Sequence, residues 1–390
     1  MSPPRVGAGR PARSIAAACG ATLALLLPAV GPAEPLPSPL TDAQIPRIVA
    51  LGPWPPPVVP DPSYRVAGLP AAVAFGQRLF NEPALSANGR IACASCHQAA
   101  RGFSDGLARG QGLQRGDRNT PGLLNVGGQR WFGWDGANDS LWAQSLRPLL
   151  DPREMGGSLG SVAQAVRTTP ALRAGYRAAF GEPPGADDER VAVDAAKALA
   201  AYQATLRSGR TPFDQFRDAV ARGDREAAAR YPPAAQRGLA IFVGRGRCWV
   251  CHGGPNFSND EFHDIGRPHF AEAGRVDPGR HGGIRALQAS RYNLLGPFND
   301  DLTRATATST RHVALEHRHW GEFKVPSLRN LALTAPYFHD GSAATLRDVL
   351  RHYSELNEER LHADGERLLV PLRLGDAEID DLLAFLDTLN

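Results

Sequence analysis

Lysine is almost missing from this 390-residue chain: of 43 basic residues only Lys197 and Lys324 are lysines. Arginine carries the rest, a bias that reads as genome composition, and the formal net charge is only +3. A nucleic-acid binder would show a basic patch or stripe, so no nucleic-acid partner is expected. Methionine is as scarce, with Met1 and Met155 alone. No segment reaches the roughly 18 uninterrupted apolar residues that a membrane-spanning helix needs. Strand signals are sparse too, which points to an all-α fold.

What is present begins with an export signal. Arg5, Arg10 and Arg13 precede an apolar run from Ile15 to Leu27, and small residues surround Gly31 to Ala33. This is the pattern of a secretory signal peptide over residues 1–33, which implies a periplasmic protein. A lipid anchor at Cys19 is the rival, but "IAAAC" lacks the usual leucine and would cut the apolar run short. Cleavage removes three arginines and no acid, which brings the formal charge from +3 to 0.

Cleavage also removes Cys19, which leaves Cys93, Cys96, Cys248 and Cys251, all inside two copies of one pattern, "CASCH" and "CWVCH". A thioredoxin-like redox site uses one such pair in a βαβ setting, and a zinc ribbon sets two pairs about 15–20 residues apart. Here the pairs lie 155 residues apart and each is followed by histidine. Covalent attachment of two c-type haems fits, the thiols adding to the vinyl groups and His97 and His252 facing iron as proximal ligands.

The rest of the chain organises around these motifs. Residues 34–66 are proline-rich and predict an extended leader with no core of its own. "PAAVAFGQRLF" and "PPAAQRGLAIF" have helical periodicity, each lies shortly before a CxxCH motif, and each contains Gly-x-x-x-Phe, at Gly76–Phe80 and Gly238–Phe242. That repetition reads as an internal duplication. Further helices are expected over 140–146, 161–166, 170–180, 187–206, 345–356 and 376–389, with the Gly-rich stretch 253–321 as a long loop. Two all-α haem domains with long irregular loops follow, at 67–225 and 226–390, divided near "RGDREAAARYPP".

"RNTPGLLN", "FGWDGANDSLWAQSLRPLLDPREMGG" and "FKVPSLRNLALTAPYFHDGSAATLRDVLRHY" resemble, in order and spacing, the signature segments of the bacterial di-haem cytochrome c peroxidase and MauG family. The resemblance covers about residues 67–390 and implies two cytochrome c-like domains. It implies that the N-terminal haem meets hydrogen peroxide at an open position, under a glutamate that moves the proton; the matching residue is Glu154. Burial in a haem pocket would raise that carboxyl's pKa towards the value the task needs. Gln144 and Pro148 match the distal pocket of the MauG-type members, as hydrogen-bond donor and steric wedge, although an ordinary helix end would also carry them. Trp134 matches an electron relay between the haems, while its neighbours Trp131 and Trp142 keep a plain core role open. Asn119, Thr334 and Pro336 match a calcium site of side-chain and carbonyl oxygens, a suitable set for that hard cation.

Two departures lean towards the MauG branch. The peroxidases have a distal histidine after the first haem, yet "RGFSDGLARGQGLQRGDRN" contains none. Their second haem takes a methionine 14 residues after the histidine of "PYFHDG"; here that position is Tyr353, and neither methionine is available. His352, its neighbour, is the alternative ligand. A phenolate favours ferric iron and a low potential. The resemblance therefore implies a peroxide-activating di-haem oxidoreductase. Its partner is either a small electron donor, cytochrome c or cupredoxin, or a protein whose side chains it oxidises. A non-enzymatic di-haem electron carrier is the remaining alternative.

Overall fold

The computed structural model describes residues 40–390 apart from 268, 269, 273 and 360. The expected signal peptide at 1–33 lies outside the described residues. Helices dominate, and the described strands form two antiparallel pairs, Phe262–His263 with Phe323–Lys324 and Phe270–Glu272 with Arg275–Val276. No described helix is long and apolar enough to cross a membrane.

Two hydrophobic cores divide the helices between them. In the first, Pro70–Phe80, Leu141–Leu150 and Leu159–Thr168 pack around Asp188–Gln203, and Pro170–Phe180 packs on Pro70–Phe80 and Leu159–Thr168. That central helix is alanine-rich, and 12 of its 16 residues are buried, because small side chains let several neighbours approach at once. The second core joins Pro212–Arg222, Pro233–Val243, Leu346–Glu355 and Asp376–Asp387 around the rings of Phe213, Phe242, Phe257 and Phe385, with centroids 5.0–6.3 Å apart.

The Gly-x-x-x-Phe repeat is explained by close helix packing. A Cβ on Gly76 would lie 1.9 Å from the Ala198 carbonyl oxygen, and one on Gly238 would lie 2.0 Å from that of Asp381. Each glycine lets its helix touch the backbone of its partner, and the phenylalanine one turn on fills the same core.

Three sequence expectations differ from the structure. The helix Pro212–Arg222 was not anticipated, and it packs in the second core through Phe213, Phe216, Ala219 and Val220. The second core therefore begins well before residue 226. The proline-rich stretch also contributes Leu40, Ile48 and Leu51 to that core, while Trp54 stacks 3.8 Å from the guanidinium of buried Arg329. Finally, the expected loop 253–321 contains the helix Gly279–Ala289, fixed by buried Ile284 and Leu287 and by Arg280, which donates to the Gly136 carbonyl at 2.9 Å.

A second duplication, at an offset of 205 residues, ties the two cores together. Asn125 and Asn330 both take positive φ, 66° and 60°. The bridges Phe132–Asn138 and Tyr337–Ala343 correspond, and Ser140 and Thr345 cap corresponding helices. The two copies clasp each other reciprocally: Asn119 N–H donates to the His339 carbonyl at 2.7 Å, and Lys324 N–H donates to the Trp134 carbonyl at 2.8 Å.

Candidate functional site

Cys93–Cys96 forms a single helical turn that brings both thiols to one side and delivers His97 at its end. His97 Nδ1–H donates to the Phe103 carbonyl at 2.7 Å, and His252 Nδ1–H to the Phe257 carbonyl at 3.0 Å. Both phenylalanines have positive φ, 63° and 51°, so the two motifs share one turn. Burial lowers the pKa of both imidazoles, that of His252 to about 4. Each ring is thus neutral, with Nδ1 engaged and Nε2 carrying the lone pair, the form that ligates a metal. Burial pushes the thiols up, to about 12 for Cys93 and Cys248 and about 11 for Cys96. A redox-active cysteine has a depressed pKa, so these pairs suit covalent attachment better than thiol exchange.

Glu154 is carried to the first motif by the turn after Leu141–Leu150, where Asp151 accepts from the Glu154 and Gly156 amides at 3.1 and 2.8 Å. The loop following the motif returns against it. Leu113 N–H donates to the Glu154 carbonyl at 2.9 Å, and the Cys96 thiol donates to the Gln111 carbonyl at 3.4 Å. A Cβ on Gly112 would lie 2.6 Å from Glu154 Cα, so glycine is required for this approach. Glu154 is open to solvent along one side yet crowded by protein. Burial raises its pKa, Arg147 and Arg153 oppose and Asp151 adds, and its charge is felt at both Cys93 and Cys96.

Gln144 and Pro148, one turn apart on Leu141–Leu150, lie on the same helix face as expected from i, i+4 spacing. Asn138 Nδ2 donates to Gln144 Oε1 at 2.8 Å, which leaves the Gln144 amide N–H groups to point elsewhere. Arg147, which sequence reasoning missed, lies three residues after Gln144; its charge reaches Asp135 and Glu154, and it lines a cleft of about 380 Å³ with Asn138, Asp151 and Tyr292.

At the second motif, Tyr353 projects from Leu346–Glu355 with its hydroxyl enclosed by protein. Burial raises its pKa, and Cys248 and Cys251 lie close enough to add to the rise. His352 points away, its Nε2–H donating to the Ile265 carbonyl at 2.8 Å. In the 205-residue duplication Tyr353 is the counterpart of Pro148. His263, also missed, sits between Cys251 and the Glu366 carboxylate, with Nδ1 2.8 Å from Oε2.

Trp134 lies in the clasp between the cores, its Nε1–H donating to the Asn119 carbonyl at 2.9 Å. Trp131 and Trp142, by contrast, are buried in packing. Asn119 and the segment carrying Thr334 and Pro336 meet here as well: Asn119 donates to the Leu107 carbonyl from Nδ2, and Thr334 lies against the glycines flanking residues 102–122.

Residues 70–222 match the family model described as di-haem cytochrome c peroxidase. The methylamine utilization protein MauG of Methylorubrum extorquens is 37% identical over 325 residues, which cover 82% of this chain and 78% of that one. The chain belongs to the di-haem cytochrome c peroxidase and MauG family. MauG of Paracoccus denitrificans is 32% identical, over 96% of this chain and 95% of that one. The crystal structure of a MauG-like protein associated with microbial copper homeostasis superposes with a TM-score of 0.64 at 28% identity, covering 86% of this chain and 95% of the other. That of the di-haem peroxidase BthA from Burkholderia thailandensis gives 0.67 at 24%, over 84% and 88%, a likeness of fold.

As a di-haem peroxidase of this family the chain carries two c-type haems. Its residues fit that load: two cysteine pairs, each beside a neutral imidazole whose free nitrogen is Nε2.

Proposed function

We propose that this chain is an exported, periplasmic enzyme in which hydrogen peroxide is reduced at the first of two cytochrome c-like haem domains and the oxidising power is spent on a partner protein. Cys93, Cys96 and His97 would hold the first haem, and Cys248, Cys251 and His252 the second, with Tyr353 as its further ligand. When bound, the haems supply the redox centres of the reaction. Reduction of one peroxide to two waters takes two protons and two electrons. Glu154 moves the proton between the two peroxide oxygens, Gln144 offers an amide donor, and Pro148 presents a face with no ligating atom. Trp134 carries electrons across the clasp, and Asn119, Thr334 and Pro336 would hold a calcium ion there.

The observation that carries this reading is the pair of positions 148 and 353. With Pro148 over the first haem and the enclosed phenol of Tyr353 over the second, the first would have no ligating atom there and the second would, so the two haems would differ. A carrier needs no such difference, and a peroxidase fed by a high-potential donor needs a ligand that favours reduced iron.

Glu154→Gln should retain both haems while slowing the reaction with peroxide about 10²- to 10⁴-fold. Because the Glu154 pKa is raised, the wild-type rate should fall as pH drops through that shifted value, and the variant should lose this dependence. Stopped-flow absorbance across pH tests both; an unchanged rate removes Glu154 from the role. Tyr353→Phe should convert one low-spin haem to high-spin in electron paramagnetic resonance and leave the other signal as it was. A wild-type spectrum in that variant would assign the ligand elsewhere.

A further inference from the structure

The 317–320 turn and the 361–366 segment, distant in sequence and outside both haem sites, bring together two imidazoles and a carboxylate. His317, His362 and Asp364 each place a donor atom within 4.8 Å of those of the other two. His317 Nδ1 lies 3.2 Å from Asp364 Oδ2, and the His317 and His362 rings meet edge to face with centroids 4.4 Å apart. His362 Nε2–H donates to the Trp320 carbonyl at 3.1 Å. That bond fixes the tautomer, so the lone pair of His362 resides on Nδ1. Yet Nδ1 is buried and has no hydrogen-bond partner among the described residues. A shielded lone pair beside a second imidazole and a carboxylate lacks what would satisfy it, an electron-pair acceptor.

We propose that His317, His362 and Asp364 form a binding site for a divalent late first-row transition metal, represented by zinc or copper(II). The donor set selects the class. Two imidazoles with one carboxylate suit borderline cations, whereas calcium and magnesium take oxygen ligands and copper(I) prefers sulfur. The backbone bond from the far nitrogen of His362 is the usual support of a metal-bound histidine. Zinc–nitrogen bonds are about 2.0–2.1 Å, so small side-chain rotations close the triad on an ion. Three protein ligands leave a further position for water, and His317, exposed, opens it to solvent. The ion would also fasten the 361–366 segment, whose Glu366 holds His263 beside Cys251, to the turn at 317–320.

The test uses the mature di-haem protein without a polyhistidine tag. Calorimetric titration with zinc should saturate at one equivalent, and one equivalent of copper(II) should give an electron paramagnetic resonance signal coupled to two nitrogens. His362→Ala, His317→Ala and Asp364→Asn should each weaken zinc binding by about tenfold or more, with unchanged haem absorbance reporting an intact fold. His312→Ala, an exposed histidine on the neighbouring helix, should bind as the wild type does. Absence of a one-equivalent site, or full affinity in the His317→Ala/His362→Ala double variant, overturns the assignment.

Discussion

At the scale of single residues, the two lysines are informative because both are buried. Lys197 pairs with Asp300 at 2.8 Å under the face of Trp142, and Lys324 pairs with Asp260 at 3.2 Å. Arginine is buried too, at Arg280 and Arg329, where its fork reaches several acceptors at once, whereas each lysine offers a compact ammonium to a single carboxylate. Burial lowers the Lys197 pKa and Asp300 opposes it, so the charge depends on its partner. Lys197→Met should destabilise the protein by about 3 kcal/mol, because it leaves the Asp300 carboxylate with the Arg65 N–H but without its counterion. Urea unfolding of the haem-loaded protein measures this, with both haems still attached before the transition.

At the scale of elements, the close-approach glycines are the most demanding feature. Gly238→Ala forces Pro233–Val243 away from Asp376–Asp387 and should lose about 1–3 kcal/mol, whereas Gly128→Ala, with open space around it, should leave the unfolding midpoint unchanged. The elements also show what the sequence could tell. The CxxCH motifs and the long amphipathic helices were legible, since spacing and periodicity are local properties. Gly279–Ala289 was not, because its glycines read as loop punctuation and its stability comes from Arg280 gripping the Gly136 carbonyl far away in sequence. Pro212–Arg222 hid behind a proline and a polar flank, although Thr211 and Asp214 cap it reciprocally. The proline-rich leader was judged by backbone alone, while Ile48, Leu51 and Trp54 act through side chains. Arg147 and the His317–His362–Asp364 triad require tertiary structure, as only folding brings their partners together. The 205-residue repeat was visible in principle at Asp135/Asp340 and Gly136/Gly341, but so few shared residues gain meaning only once the bridges and caps align.

At the scale of the whole molecule, the clasp is reinforced by Arg118, which bonds Asp277 through two nitrogens at 2.8 and 2.7 Å and Asp135 at 2.6 Å. Burial alone would raise both carboxyl pKa values, yet Arg118 outweighs it and both are lowered. Their contribution is therefore present above the ordinary carboxylate pKa and lost as pH falls below it. Arg118→Gln should cost about 3 kcal/mol at neutral pH and progressively less on acidification, because a protonated aspartate needs no counterion; unfolding midpoints measured from neutral to acidic pH check the trend. The reciprocal bonds at Asn119 and Lys324 have a further consequence. They are what two identical single-haem chains would make on meeting about a two-fold axis, and in such a dimer every position occurs twice, so both pockets would have to present the same side chain. Continuity of the polypeptide lifts that constraint. Once the halves are inherited as one chain, proline can stand at position 148 and tyrosine at its counterpart 353, and asymmetry becomes a heritable trait.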